Sequence, residues 1–287
     1  MSSGRIVILA AGMSSRMKNS AAEGIPDALQ REAERLPKTM IPVGRNGRPF
    51  LDFLLKNVFT AGYRDVVIVT NEKDETIRAY YGNDAREDDF PGLRFTFAVQ
   101  RIPEGRTTPL GTADAVHCGL LARPEWAGGY CTICNGDNLY SVHALRTMND
   151  DALPSALVDY DRDALLFAKE RALTYAVIDA DEQGYLRQLI EKPTPEQAET
   201  LEQRDGRVGV SMNLYRLNYT RILSVMESLP VHPIRNEKEL PMAVTRMLER
   251  FPQEVKVIRT AEHVPDLTSK SDLSVVREYL EKEFPGF

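Results

Sequence analysis

Short apolar runs and amphipathic stretches alternate along the first 150 residues of this chain. Runs such as residues 6–10 and 65–70 are β-branched, continuously apolar and too short for stable helices, which indicates strands buried on both faces. Further strands are predicted at residues 93–100 and 129–135, and helices at residues 50–61, 72–81, 112–121 and 141–149. This alternation predicts an α/β fold, in which helices cover a mostly parallel sheet.

The second half of the chain has a less regular pattern. Strands are predicted at residues 156–160, 175–179, 185–191, 206–217 and 254–260, and helices at residues 219–228, 237–250 and 272–283. Residues 181–184 form a turn motif that predicts a hairpin. No linker rich in Pro, Gly or Ser divides the chain, so we predict one domain over residues 1–287 with a mixed sheet.

A loop of small residues follows the first predicted strand. It consists of Ala10, Ala11, Gly12, Met13, Ser14 and Ser15, with the cations Arg16 and Lys18 behind it. Small side chains let backbone N–H groups lie directly against a ligand, and the cations add positive charge. The stretch fits neither G-x-x-x-x-G-K-[ST] nor G-x-G-x-x-G. We therefore predict a polyphosphate-binding loop of another kind, the alternative being an ordinary tight turn.

Composition excludes several classes of protein. The 287 residues include 42 acidic and 36 basic side chains, for a net charge of −6. This balance argues against a general nucleic-acid binder or a protein that binds anionic membranes. No apolar segment approaches the roughly 20 residues that a membrane helix needs. The apolar run after Arg5 is also shorter than a typical secretory signal, so we interpret it as mature structure.

The chain has three cysteines, which are few for its length. This number fits a reducing compartment, and we predict a cytoplasmic location. Cys131 and Cys134 form a C-x-x-C pattern inside the strand predicted at residues 129–135. Positions three apart in a strand point to opposite faces, so we favour a structural role over a redox or zinc site.

Residues 19–36 differ in character from their surroundings, because Ala, Glu and Arg dominate and apolar positions are sparse. We predict an insertion with a helix at residues 27–35, capped by Asp27. It either acts as a lid or is only a solvated loop. Residues 36–43 are predicted to be extended, because prolines stand at both ends.

Two glycine-containing motifs follow predicted strands. Asp137, in Asn135-Gly136-Asp137-Asn138, can bind a hard cation such as Mg²⁺, although the same motif also makes a good turn. Gly111 and Thr112 open a helix, where free N–H groups leave room for a base or phosphate. Gln100 can pair with a base edge through its amide, the alternative being a surface glutamine.

Two charged motifs lie in the second half of the chain. Glu191 and Lys192 precede Pro193 at a strand end, where they form either a weak salt bridge or a site for sugar hydroxyls and phosphate. Asp266 precedes the last helix, as a helix cap or a second metal ligand. Sequence spacing does not say whether Asp266 approaches Asp137.

Taken in order, these motifs resemble those of the sugar-1-phosphate nucleotidyltransferases, or NDP-sugar pyrophosphorylases, such as the glucose-1-phosphate uridylyl- and thymidylyltransferases. The resemblance extends over nearly the whole chain. It rests on LAAGMSSRM at residues 9–17, PKTMIP at 37–42, GTADA at 111–115, GDN at 136–138, EKP at 191–193 and PD at 265–266.

The resemblance implies a Rossmann-like three-layer α/β/α fold, with a nucleotide-binding half at residues 1–150 and a sugar-phosphate-binding half at 151–287. It also implies an enzyme that converts an NTP and a sugar 1-phosphate to an NDP-sugar and pyrophosphate with Mg²⁺. The sugar-phosphate oxygen would attack the α-phosphorus in line, without a covalent enzyme intermediate. UTP or dTTP is favoured, because the length and residues 37–42 are most similar to those members.

The resemblance assigns roles to individual residues. The small-residue loop and Thr112 hold the nucleotide, and Gln100 and Gly111 contact its base. Arg16 stabilises the departing pyrophosphate, Lys38 neutralises phosphate charge, and Asp137 and Asp266 hold Mg²⁺. At the acceptor, Lys192 binds the sugar phosphate, and Glu191, Tyr175 and Asn213 lie at the sugar. The expected partners are an NTP and a sugar 1-phosphate; the net charge and the lack of long apolar segments predict no nucleic-acid or membrane partner, and a homo-oligomer is compatible with these expectations.

Some positions depart from the family pattern. Ser14 stands at the second glycine of the usual G-x-G-[TS]-R loop, and Asn213 and Ala176 stand where glycines often lie beside the sugar. Two alternatives stay open, the first because relatives that transfer cytidylyl groups share the Ser14 variant and the second because related domains can bind without turnover. One is a cytidylyltransferase that acts on a non-sugar phosphate such as phosphocholine, and the other is a non-catalytic nucleotide-sugar sensor.

Overall fold

The computed structural model describes residues 4–20, 25–82, 86–166, 171 and 174–287. In chain order the strands are β1 (Gly4–Leu9), β2 (Tyr63–Asn71), β3 (Arg94–Gln100), β4 (Tyr130–Asn135), β5 (Ala156–Asp161), β6 (Val177–Ala180), β7 (Leu186–Ile190), β8 (Gly209–Asn218) and β9 (Lys256–Thr260). The α-helices in the same residues are α1 (Ser15–Asn19), α2 (Asp27–Arg35), α3 (Phe50–Thr60), α4 (Thr76–Tyr81), α5 (Thr112–Leu121), α6 (Val142–Met148), α7 (Pro195–Asp205), α8 (Tyr219–Met226), α9 (Leu240–Arg250) and α10 (Asp272–Glu283).

The strands form one mixed sheet with the order β3-β2-β1-β4-β8-β5-β9. The pairs β3/β2, β2/β1 and β1/β4 are parallel, as is β5/β9, whereas β8 runs antiparallel to both of its neighbours. The hairpin of β6 and β7 joins β8 through Val177 and Val210. The predicted α/β class, with a mostly parallel mixed sheet, is therefore confirmed.

Hydrophobic cores lie on both faces of the sheet. In β1, Ile6 and Ile8 belong to one core cluster and Val7 to the other, because successive strand residues point to opposite faces. Cys131 and Cys134 are likewise buried in opposite clusters. The two thiols therefore do not meet, as their spacing predicted.

Local structure differs from the sequence prediction in two helices. The loop after β1 turns into the short helix α1, and α7 occupies a stretch where no helix was predicted. A capping box of Thr194 and Gln197 starts α7, and Gly206 ends it with a φ of 71°. The strand predicted from residue 206 was therefore wrong at its start, and β8 begins at Gly209.

The insertion packs against the rest of the protein. Helix α2 has the predicted bounds, but Asp27 is its first residue and makes no capping hydrogen bond. Its apolar residues Leu29 and Ala33 are buried. Lys270, only 3% exposed, donates to Glu34 Oε1 at 2.9 Å and to the Lys18 carbonyl at 3.3 Å. The helix predicted at residues 27–35 is therefore present, and the alternative that the insertion at residues 19–36 is only a solvated loop is wrong for this part of it. Residues 21–24 lie outside the described part, and a role as a lid stays a prediction.

The segment that leads into α3 is also more compact than predicted. Residues Lys38–Met40 form a turn of 3₁₀-helix rather than an extended path. None of the helices within the described ranges has the length and apolar character required to cross a membrane.

Candidate active site

The small-residue loop lies at the carboxyl end of β1, beside β2 and β4. Its backbone is anchored where Ala10 N–H donates to the Val69 carbonyl at 2.8 Å. Ser14 has a left-handed conformation with φ 55°, and its Oγ accepts a hydrogen bond from Lys38 N–H at 3.1 Å. Among the described residues other than its two chain neighbours, no atom lies within 4 Å of the position that a Cβ of Gly12 would occupy. The loop backbone at Gly12 is therefore open to a ligand.

A cavity of about 390 Å³ opens beside this loop. Its walls include the predicted loop residues Ala10 to Ser15, together with Arg16, Lys38, Gln100, Gly111, Thr112 and Asp137. The structure therefore brings together every residue predicted to bind the nucleotide, with three of the four predicted catalytic residues. The fourth, Lys192, does not line this cavity.

Arg16, Lys38 and Asp137 bring charge to the part of the cavity beside the loop. Lys38 forms an ion pair with Asp137, and both side chains are largely shielded from solvent. Arg16 is exposed and forms no ion pair within the described ranges. Gly136 lets the Asp137 turn lie close to β1, because a Cβ there would be 3.1 Å from the Leu9 carbonyl oxygen.

Asp137 and Asp266 belong to two segments that pair through their backbones. Leu139 N–H donates to the Pro265 carbonyl at 2.8 Å, and Leu267 N–H donates to the Asp137 carbonyl at 2.9 Å. Burial raises the pKa of Asp266, and the charge of Asp137 raises it further. A carboxylate whose pKa is raised by a second carboxylate nearby marks a place suited to a cation.

The Asp266 carboxylate is held by polar side chains. It accepts hydrogen bonds from Arg171 Nη2 at 2.7 Å, from Tyr175 OH at 2.9 Å and from the Thr268 hydroxyl. Among the described residues, no group of three or more His, Cys, Asp or Glu gathers as a metal site. A cation here would have two carboxylate donors and would need further oxygen atoms from a substrate or water.

Gln100 and Gly111 form a second wall of the cavity. Gln100 is only 2% exposed, so its interpretation as a surface glutamine was wrong. Its Nε2 donates to the Gly111 carbonyl at 2.8 Å and to Asp114 Oδ2 at 2.9 Å. Gly111 has a φ of 106°, and a Cβ there would lie 2.7 Å from the Lys238 carbonyl oxygen, so glycine is required.

The residues predicted to bind the sugar phosphate lie beyond this cavity. Tyr175 contacts Asp266 directly, as described above. Asn213, with φ 57°, accepts at Oδ1 from Tyr215 OH at 3.3 Å. Burial, followed by the charge of Glu239, raises the pKa of Glu191. Lys192 is exposed and also has a positive φ of 47°.

Sequence reasoning missed three residues of this region. Arg171 lies in a stretch without a recognisable pattern, so nothing marked it as a partner of Asp266. Glu237 lines the cavity, although it was included in a predicted helix; that helix begins only at Leu240. Thr39 also lines the cavity, and its buried hydroxyl has no hydrogen-bond partner among the described residues.

Comparisons with known proteins agree with this geometry. The chain is 23% identical over 190 residues to D-glycero-alpha-D-manno-heptose 1-phosphate guanylyltransferase of Campylobacter jejuni subsp. jejuni, covering 65% of this chain and 67% of that protein. It is 28% identical over 217 residues to glucose-1-phosphate adenylyltransferase of Nitrosomonas europaea, covering 74% of this chain. The chain spans 46% of the length of that second relative.

A solved structure has the same fold. The crystal structure of a UDP-glucose pyrophosphorylase complexed with UDP-glucose superposes with a TM-score of 0.71 at 16% identity, covering 98% of this chain and 99% of the other. The family model described as nucleotidyl transferase matches residues 33–278. The match takes in Lys38, Gln100, Gly111, Asp137 and Asp266, and the chain therefore belongs to the nucleotidyl transferase family, as its resemblance to the sugar-1-phosphate nucleotidyltransferases predicted.

Proposed function

We propose that this protein transfers a nucleotidyl group from an NTP to a sugar 1-phosphate, releasing pyrophosphate, with Mg²⁺ as its cation. The observation that carries the proposal is one cavity that joins the open Gly12 backbone and the cations Arg16 and Lys38 to Gln100 and Gly111. Such a cavity suits a ligand with a polyphosphate and a base.

The donor set fits a hard divalent cation. Asp137 and Asp266 would hold Mg²⁺, which prefers carboxylate oxygen and substrate phosphate together. When bound, the cation would neutralise negative charge on the phosphates. In the protein alone, Lys38 pairs with Asp137 and Arg171 pairs with Asp266, so these two side chains offset the negative charge of the carboxylates.

The residues of the chain position the reactants and stabilise charge. The N–H groups around Gly12 bind the triphosphate, and Gln100 and Gly111 orient the base. A phosphate oxygen of the sugar 1-phosphate then forms a bond to the α-phosphorus, while the bond from that phosphorus to the bridging oxygen of pyrophosphate breaks. Arg16 binds the departing pyrophosphate and Lys38 neutralises charge in the transition state.

The acceptor would bind beside Asp266. Tyr175 reaches Asp266 through its hydroxyl, and Asn213 lies next to Tyr215, whose pKa is raised by burial and also by the nearby Glu191 carboxylate. These contacts support a sugar site formed by Glu191, Tyr175 and Asn213, with Lys192 on the phosphate. The prediction that UTP or dTTP is the donor stays a prediction, because the relatives named above are guanylyl- and adenylyltransferases.

A pyrophosphate-release screen tests the proposal. The four common NTPs and dTTP are each combined with a panel of sugar 1-phosphates and with phosphocholine, in the presence of Mg²⁺. We expect release with at least one sugar 1-phosphate. Release only with CTP and phosphocholine would identify the alternative reaction. Tight binding of nucleotide sugars without any release would identify a sensor.

A further inference from the structure

The cavity wall formed by Gln100 and Gly111, which is proposed to contact the nucleotide base, also has an acidic residue without an assigned role. Glu237 lines the cavity, and its Cβ would be only 3.1 Å from a Cβ placed on Gly111. Its carboxylate makes no hydrogen bond or ion pair with any residue in the described ranges, although its backbone carbonyl accepts from His232 N–H at 2.8 Å. Because the Glu237 side chain starts next to Gly111 and lines the same cavity, its carboxylate is within reach of a base that contacts Gly111.

The orientation of the Gln100 amide follows from its two partners. Both the Gly111 carbonyl and Asp114 Oδ2 are acceptors, so only the NH₂ group of Gln100 can face them. Gln100 Oε1 is therefore the amide atom left for a ligand, and it is an acceptor. Gly111 N–H, by contrast, donates to no residue in the described ranges. The wall thus offers one donor at Gly111 and acceptors at Gln100 and Glu237.

This pattern can be compared with the hydrogen-bonding edges of the bases. Guanine presents an acceptor at O6 and donors at N1 and N2, which match the Gly111 donor and the acceptors of Gln100 and Glu237. Uracil and thymine also present an acceptor to Gly111 and a donor to Gln100, but they present the acceptor O2 to Glu237. Adenine and cytosine have an unprotonated ring nitrogen where Gln100 offers an acceptor.

We propose that Glu237 selects a guanine nucleotide by accepting a hydrogen bond from the 2-amino group and by repelling the O2 oxygen of uracil or thymine. This inference rests on the proposed function, because it places the base of the NTP against Gln100 and Gly111. A site built to bind a donor rejects analogues that lack it, since its polar group is left unpaired. Guanine rather than uracil or thymine is then the preferred base.

Calorimetric binding of Mg²⁺ complexes of GTP, ITP, UTP and dTTP tests the proposal without any sugar. ITP differs from GTP in lacking the 2-amino group. We expect the wild-type protein to bind GTP at least tenfold more tightly than ITP, UTP or dTTP. In Glu237→Ala the difference between GTP and ITP should fall below about threefold, since the acceptor of the 2-amino group is gone.

Matched variants separate specificity from folding. Glu237→Gln keeps the shape of the side chain but adds an NH₂ donor, so it should bind UTP more tightly and GTP more weakly than the wild type does. Glu227→Gln, an exposed change at the end of α8, should leave all four affinities unchanged. Melting temperatures equal to that of the wild type show that each variant is folded.

The outcomes distinguish this inference from the proposed function. Equal binding of GTP and ITP by the wild type, or tighter binding of UTP or dTTP, overturns the role of Glu237. Pyrophosphate release with one of those other nucleotides would at the same time leave the proposed function standing. Failure to bind any of these four nucleotides overturns the role of Glu237, and the absence of pyrophosphate release with every nucleotide of the screen overturns the proposed function.

Discussion

Ser14 and Asn213 have left-handed backbone conformations, with φ values of 55° and 57°. At both positions the resemblance to the family predicts glycine, the residue that adopts this conformation most easily. Ser14 is stabilised by the hydrogen bond that its Oγ accepts from Lys38 N–H, and asparagine tolerates left-handed geometry better than most residues. A glycine at either position would therefore allow the same path of the backbone.

Asn213 supports a test of this interpretation. In a left-handed position a Cβ is unfavourable by about 1 kcal/mol, so Asn213→Ala should be less stable than Asn213→Gly by roughly that amount. Urea unfolding of both variants measures the difference in the free energy of unfolding. At the exposed residue Arg187 of β7, which has no positive φ, the alanine variant should be the more stable one. The same order at both positions would contradict the argument.

Asp137 supports a test of the site itself. Asp137→Asn removes the charge that pairs with Lys38 and that would hold Mg²⁺, while it keeps the size of the side chain. We expect turnover to fall at least about a hundredfold with little change in melting temperature. Asp88→Asn, at an exposed position, serves as the control. Wild-type turnover in Asp137→Asn would exclude this carboxylate from the mechanism.

Among the helices, the bounds were predicted correctly where the apolar periodicity and a glycine at the helix end indicated the same limits. Helix α5 has the predicted bounds, because Gly111 precedes a continuous run of small and apolar residues. Helix α7 was missed because only Ala198 and Leu201 are buried on it, which leaves little apolar periodicity. Its capping box was visible in the sequence at Thr194 and Gln197, and this local motif was the better guide.

The cap of α7 can be tested directly. Thr194 Oγ1 accepts a hydrogen bond from Gln197 N–H at 3.2 Å, so Thr194→Ala should lower the free energy of unfolding by about 1 kcal/mol. Chemical denaturation of the variant measures this change. Thr200→Ala, an exposed change inside the same helix, should have no destabilising effect of that size. Equal effects at both positions would show that the cap does not stabilise the helix.

The burial of the two thiols in strand β4 predicts that they react slowly in the folded protein. Burial raises the pKa of Cys131 to about 12 and raises that of Cys134 further. A raised thiol pKa stabilises the folded protein below the ordinary value of 9, and this contribution is lost as the pH rises through 9 toward 12. Native protein at pH 8 should therefore show no fast reaction of these two residues with a thiol reagent. Rapid labelling of Cys131 or Cys134 in folded protein would contradict their burial.

At the scale of the whole molecule, the meeting of Asp137 with Asp266 was beyond sequence reasoning. It depends on backbone pairing between segments that are distant along the chain, and spacing carries no information about which loops will pair. The position of Arg171 against Asp266 is equally invisible in the sequence. By contrast, the approach of the Gly12 loop to the Gly111 helix start could be predicted, because both follow parallel strands and such loops meet at one edge of a sheet.

The pairing of the segments that carry Asp137 and Asp266 can be tested by measuring ligand binding. A magnesium nucleotide complex that contacts both carboxylates binds only the folded protein, so it should raise the melting temperature in a concentration-dependent way. Removal of Mg²⁺ with EDTA should abolish most of the increase, and Asp266→Asn should do the same in the presence of Mg²⁺. An increase that is independent of both the cation and Asp266 would place the nucleotide away from these carboxylates.

The ion pair between Lys38 and Asp137 has a consequence for the order of events. In the protein without ligand, the Lys38 ammonium group already pairs with the Asp137 carboxylate. A free divalent ion must therefore compete with Lys38 for this carboxylate. A cation that arrives already attached to a triphosphate has no such handicap, because the phosphates give the displaced lysine a new anionic neighbour. We therefore expect the metal to bind together with the nucleotide. The protein without nucleotide should bind the metal ion only weakly.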